Sequence, residues 1–121
     1  MKQNQRAAVA GIAIALVNGS RIKNVYSYEL SKHVFLSGSV EKKHVNVYDY
    51  SRSCHISGNS NDGINYGLYD YGSSCHINIS INGSSGKGYD YSSGHHFSFT
   101  VAGNSLSLYD YETGHHYSYS C

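Results

Sequence analysis

The chain has 121 residues, a formal net charge of +1 at pH 7 and only 14% charged residues. That length suits one domain with a modest core, and the near-neutral balance argues against nucleic acid as a partner, because such a binder carries a basic face. Thirteen Tyr and thirteen Gly, with no Pro and no Trp, favour strands and tight turns over helices.

The N-terminus opens "MKQNQR" and continues "AAVAGIAIALV". A basic start before an eleven-residue apolar run is the pattern of a secretory leader. The alternative is a first β-strand, because "IAIALVNGSRIKNVYSY" mimics the later "FSFTVAGNSLSLYDY". Residues 1–20 therefore stand as leader or strand. A leader over 1–19 would make the protein secreted or periplasmic; without one it is cytoplasmic. The run is shorter than the roughly 20 residues that cross a bilayer, so no transmembrane helix is expected.

From residue 21 to 121 the chain repeats. Tyr-x-Tyr recurs at 26, 48, 69, 89 and 109, at spacings of 22, 21, 20 and 20, and a histidine follows seven residues later at 33, 55, 76, 96 and 116. Such a period marks units too small to bury their own apolar face. The units lie near 21–43, 44–64, 65–85, 86–104 and 105–121. Each divides into two strands around a short turn, as in "SLSLYDY", "ETG" and "HHYSYS". A three-residue loop ending in Gly predicts a type I turn with a G1 bulge, and Gly94 and Gly114 in the left-handed conformation. Ser53 and Ser74 occupy that place in the second and third units, so their turns are expected to be less regular.

That loop length sets the pairing. It places Asp110 opposite His116 and, likewise, Asp49 opposite His55, Asp70 opposite His76 and Asp90 opposite His96. Ser27 against His33 departs from the pattern. Alternation then puts Tyr48, Tyr50, Tyr69, Tyr71, Tyr89, Tyr91, Tyr109 and Tyr111 on the core face with Cys54, Cys75, His95, His115 and runs such as Ile77, Ile79, Ile81 and Phe97, Phe99, Val101. The Asp–His face, with Val47, Leu68 and Leu108, is expected to be wet.

Two assemblies can bury the apolar face. Five antiparallel hairpins can close into a small ring or shallow barrel, or each unit can form one coil of a β-solenoid. A solenoid would stack the aspartates at about 4.8 Å and bring Cys54 over Cys75. A meander separates those cysteines by roughly 10 Å, beyond disulfide reach. The all-β ring is favoured. Three cysteines with no CxxC spacing also argue against a zinc knuckle or a complete disulfide framework.

The units "YDYSSGHHFSFT" and "YDYETGHHYSYS" resemble the short Tyr-Asp…Gly hairpin units of the β-flower families, over about residues 21–121. The resemblance implies symmetric hairpin petals around a shallow barrel and assigns no activity. Five units rather than four depart from the usual β-flower. The period is also similar to that of curlin-type secreted amyloid repeats, whose regular Gln and Asn positions are missing here.

Asp–His pairs invite a catalytic reading, but no nucleophile recurs beside them, so cross-strand pairing is preferred and an enzyme is not expected. No cofactor is expected either. A divalent-metal site would require His55, His76, His96 and His116 to converge from separate hairpins, with Asp49, Asp70, Asp90 and Asp110, since the two histidines of an "HH" pair point to opposite faces. The chain thus reads as a non-enzymatic structural or binding module. The alternatives are a secreted, self-associating fibre subunit and a metal-binding or multivalent glycan-binding protein.

Overall fold

The computed structural model describes residues 1–121. One helix, α1 (Gln3–Asn18), precedes eleven strands: β1 (Val25–Ser27), β2 (Lys32–Val34), β3 (Leu36–Val40), β4 (His44–Asp49), β5 (Cys54–Asn59), β6 (Asn65–Asp70), β7 (Cys75–Asn82), β8 (Ser85–Asp90), β9 (His95–Ala102), β10 (Ser105–Asp110) and β11 (His115–Ser120). All eleven belong to one antiparallel sheet in the order β2-β1-β11-β10-β9-β8-β7-β6-β5-β4-β3. The ends of that order, β2 and β3, are neighbours in sequence, separated only by Phe35. The hairpins therefore close into a barrel-like ring with a single seam. Across it the Leu36 N–H donates to Asn24 Oδ1 at 3.2 Å. β6 lies between β5 and β7, and Cys54, Cys75 and Cys121 are free, as a meander requires.

Residues 1–20 are not a first strand. The stretch rich in Ala, the strongest helix former, is helical over Gln3–Asn18, and Gly19 ends it in the left-handed conformation with its N–H on the Ala15 carbonyl. The helix threads the ring and packs on β1, β2, β3, β9, β10 and β11. Residues Gln5 to Ala15 are all buried. A helix enclosed by a barrel must be apolar on every side, so it shows no amphipathic stripe. The alternation in "IAIALV" is a consequence of that all-round burial.

Inside the ring, Val9, Ile12 and Ile14 of the helix meet Val45, Val47, Ile56, Leu68, Ile77, Ile79, Phe97, Phe99, Leu106 and Leu108 of the strands in one core. The strand β8 contributes almost no inward bulk. A Cβ at Gly88 would overlap both the Asn78 carbonyl and Phe97 Cζ, so the missing side chain is what admits that ring.

The register is one residue away from the sequence expectation. Loops 28–31, 50–53, 71–74, 91–94 and 111–114 each hold four residues, which pairs Tyr48 with His55, Tyr69 with His76, Tyr89 with His96 and Tyr109 with His116. Asp49 and Asp70 stand opposite Cys54 and Cys75, while Asp90 and Asp110 stand opposite His95 and His115. The fourth loop residue has positive φ in every unit: Ser31 at 53°, Ser53 at 53°, Ser74 at 56°, Gly94 at 73° and Gly114 at 69°. Gly94 and Gly114 are left-handed as expected. Ser53 and Ser74 adopt the same conformation, so the five turns are alike.

A one-residue slip exchanges the faces of a strand. On the first strand of each hairpin the tyrosines consequently point outward, and the aspartates point inward with Val47, Leu68 and Leu108. The expected tyrosine core is overturned. On the second strands, Ile77, Ile79, Phe97, Phe99 and Val101 are buried as the alternation requires.

Candidate functional site

Two rings of repeated side chains run around the barrel at its turn end, one inside and one outside.

The inner ring is acidic. Asp49, Asp70 and Asp90 are fully buried and Asp110 nearly so. Each carboxylate accepts the backbone N–H two residues on: Ser51 at 3.0 Å, Gly72 at 3.0 Å, Ser92 at 3.1 Å and Glu112 at 3.0 Å. These are Asx turns, which shape the four-residue loops. Cations and amides from two places complete the ring. Arg52 reaches Asp49 and Asp70, and Gln5 of the helix donates to Asp70 at 2.9 Å. Arg6 of the helix meets Asp110 at 3.0 Å, and the Met1 amine donates to the same oxygen at 2.9 Å. In the first unit Ser27 replaces the aspartate and accepts from the Leu30 N–H. There Arg6 turns to Glu29 in a two-pronged ion pair and lies 3.8 Å over the Tyr117 ring. Arg6 thus serves two carboxylates at once, Nη1 on Asp110 and Nη2 on Glu29, a division between two nitrogens that the planar guanidinium offers.

The electrostatics follow from these partners. Burial opposes ionisation of Asp110, but its hydrogen bonds from the Met1 amine, the Glu112 N–H and Arg6 outweigh that and hold its pKa below the usual carboxylate value. Burial likewise opposes the charge on Arg52, and hydrogen bonds to Asp70 and Asp49 outweigh it, so its pKa is raised. Tyr119 is raised chiefly by burial.

The outer ring is aromatic and repeats five times. Tyr26, Tyr48, Tyr69, Tyr89 and Tyr109 each meet the tyrosine two residues on with ring centroids 4.8–4.9 Å apart, edge to face. Each also meets its cross-strand histidine (His33, His55, His76, His96, His116) at 4.7–5.0 Å. Edge-to-face packing of this kind adds roughly 0.5–1.5 kcal/mol per pair beyond burial. The second tyrosine of every cluster is left in solvent: Tyr28, Tyr50, Tyr71, Tyr91 and Tyr111 are 54–59% exposed. Its backbone ties it to the preceding hairpin, as Tyr71 N–H donates to the His55 carbonyl, Tyr91 to His76 and Tyr111 to His96. The belt is therefore held in fixed spacing by the sheet itself.

The expected Asp–His pairs do not form. His55, His76, His96 and His116 are exposed on the outer wall, Asp49, Asp70, Asp90 and Asp110 are buried inside, and the sheet stands between them. The physical cause is the fourth loop residue, which moves each histidine onto its tyrosine. No three His, Cys, Asp or Glu side chains come together around one point. The residues the sequence reading missed are Gln5, Arg6 and Arg52, which partner the aspartates, and Lys87 on the outer wall. A signal for the true faces was present in "SLSLYDY", where Leu106 and Leu108 alternate in phase with Asp110 and out of phase with Tyr109.

Comparison with protein-family models, with curated proteins and with solved structures finds no match to this chain. No helix is long and apolar enough to cross a membrane.

Proposed function

We propose that the protein is a non-enzymatic binding module that presents five equivalent aromatic clusters around one barrel. The observation that carries this reading is the Tyr–Tyr–His cluster itself, repeated with the same geometry and with one tyrosine face open to solvent each time. Large exposed aromatics cost solubility and are normally sparse on a monomer unless they contact something. Tyrosine offers an apolar face with a polar tip, and histidine adds a donor and an acceptor.

Above the belt, the outward strand positions are short and polar, among them Asn46, Ser57, Asn78, Ser98, Ser107 and Ser118. Open aromatic faces beside hydroxyls and amides suit a ligand with apolar ring faces and many hydroxyls, that is, a glycan. Five spaced copies suit a multivalent one, since weak sites on one rigid frame multiply in avidity. The inner acidic ring does not enter this reading, because its groups are engaged in holding turns and helix together.

The fibre alternative is disfavoured by the near-closure of the sheet. It leaves only β2 and β3 as ends of the sheet order, and these run on from one another through Phe35, whereas fibre growth needs open edges. Screening the labelled protein on immobilised glycans, with size-exclusion chromatography in parallel, tests the proposal. Glycan capture by a monodisperse particle supports it. Absence of binding to any glycan, or assembly into filaments, overturns it.

A further inference from the structure

The five clusters are alike, but the wall between them is not. Three shallow grooves, with volumes of about 680, 430 and 420 Å³, adjoin one another on the outer face of β6 to β11. They fall in the size range of small-molecule sites, roughly 300–1,000 Å³. Tyr109 and His116 line the first, Tyr89 and His96 the second, and His96 and Tyr111 the third. Lys87 lines all three.

Lys87 is the one cation of the chain set in the interior of a strand; the others lie at the N-terminus, in the helix, in loops or at a strand's first residue. It projects outward from the middle of β8, where it pairs across the sheet with Ser80 on one side and Ser98 on the other. It is exposed and, like the other lysines, belongs to none of the ion pairs of the protein. No carboxylate lines any of the three grooves. Of the eight acidic residues, Asp49, Asp70, Asp90 and Asp110 point inward, and Glu29, Glu41, Asp62 and Glu112 lie in turns and loops. The strand wall is thus neutral and hydroxyl-rich with one uncompensated positive charge at the meeting point of three aromatic grooves. A lysine so placed is a point charge for a single anionic group, free to swing among the grooves.

From this we infer that the sector around Lys87 is a specialised subsite for an anionic sugar. Lys87 takes the carboxylate or sulfate, and the rings of Tyr89, Tyr109 and Tyr111 with His96 and His116 take the adjoining sugar faces and hydroxyls. The inference rests on the glycan reading above and sharpens it: the five clusters supply general affinity, and the fourth and fifth units supply charge selectivity.

Calorimetric titration of the full chain and of Lys87→Ala tests it, using three probes: a neutral dextran oligosaccharide, an oligogalacturonate and a sulfated dextran oligosaccharide. Lys87 is exposed, so the variant should melt with the parent, and matched thermal unfolding curves verify that it does. The expected result is tighter binding of one or both anionic probes than of the neutral one. That preference should fall roughly tenfold or more in Lys87→Ala, the size of a lost charge-assisted hydrogen bond, and weaken with added salt. Oligogalacturonate against sulfated dextran identifies which anion the site takes. Equal affinity for neutral and anionic probes, or an anionic preference that survives in Lys87→Ala, overturns the subsite while leaving the glycan reading in place. Failure of all three probes and of every immobilised glycan overturns both.

Discussion

Arg52 joins the carboxylates of two successive repeats, its Nε donating to Asp49 at 2.8 Å and its Nη1 to Asp70 at 2.8 Å. Both aspartates are wholly buried, and the guanidinium is mostly so. Removing one partner of a buried ion pair strands the other charge, which typically costs 3–5 kcal/mol. Arg52→Leu is expected to lose about 3 kcal/mol in urea denaturation, the lower figure because the arginine side chain is not wholly buried. Arg52→Lys should fall between, since an ammonium cannot fork to two carboxylates in the same way. A loss below 1 kcal/mol for Arg52→Leu would show that the bridge adds nothing beyond the Asx turns.

The pH dependence follows from Asp110, whose folded pKa lies below its ordinary value for the reasons given above. A depressed carboxylate contributes stability that is complete above the unfolded pKa, about 3.9. That contribution is lost as pH falls through the folded value. Denaturation midpoints should therefore hold steady from pH 7 to 5 and drop steeply below about 4. Asp110→Asn keeps the turn acceptor and removes the charge, so it should be less stable at pH 7 and show a shallower acid decline. The same acid slope in Asp110→Asn as in the parent would contradict this assignment.

The turns differ in one respect that can be measured. Ser53 and Ser74 hold the left-handed conformation that Gly94 and Gly114 hold at the corresponding positions. Left-handed backbone costs a non-glycine residue about 1–2 kcal/mol, and glycine gives back roughly 0.5–1 of that through its larger unfolded entropy. Ser53→Gly and Ser74→Gly should each stabilise the fold by about 0.5–1 kcal/mol. Gly114→Ala should destabilise it by a similar amount, with ample space for the methyl group and only the backbone strain opposing it. Thermal melts of the three variants decide the matter, and a neutral or destabilising Ser53→Gly would exclude strain at that turn.

The helix is the main determinant of the interior. Ile12 is fully buried where α1 passes through the ring. Ile12→Ala should cost about 2–5 kcal/mol from lost transfer energy and the cavity left behind. Ile12→Asp, which places an unpaired charge in the same site, should abolish cooperative unfolding. If Ile12→Asp kept the parent melting curve, the barrel would be stable without a docked helix.

How far the sequence carried these conclusions depended on which feature had to be read. The hairpins, their number and their closure were legible because Tyr and His recur in step through five units. The register was not, because it rested on whether the turn held three residues or four, and Gly94 and Gly114 suit either. The serines at 53 and 74 looked like irregular turns, although they hold the same backbone shape. The bulk of the tyrosines then weighed against placing Asp in the interior. Beyond the Asx turns, the charges of the buried Asp49 and Asp70 are met by Arg52, in a loop, and Asp70 also by Gln5, in a segment not read as helix. The belt and the acidic ring thus exchanged sides in the sequence reading through one misplaced residue.

The belt itself makes the last prediction. Tyr71, Tyr91 and Tyr111 sit at the first loop position, more than half exposed, and each packs edge-on against one neighbour in its own cluster. Truncating one to Ala should cost no more than about 0.5–1.5 kcal/mol, the worth of that aromatic contact. Because the clusters are equivalent in geometry, single truncations should weaken glycan capture only modestly. Truncating Tyr71, Tyr91 and Tyr111 together should reduce it far more than the sum of the three, since avidity is lost along with the sites. Surface plasmon resonance on an immobilised glycan distinguishes these cases. A single truncation that removes all binding would point to one dominant site, and a triple truncation that binds normally would take the ligand off the belt altogether.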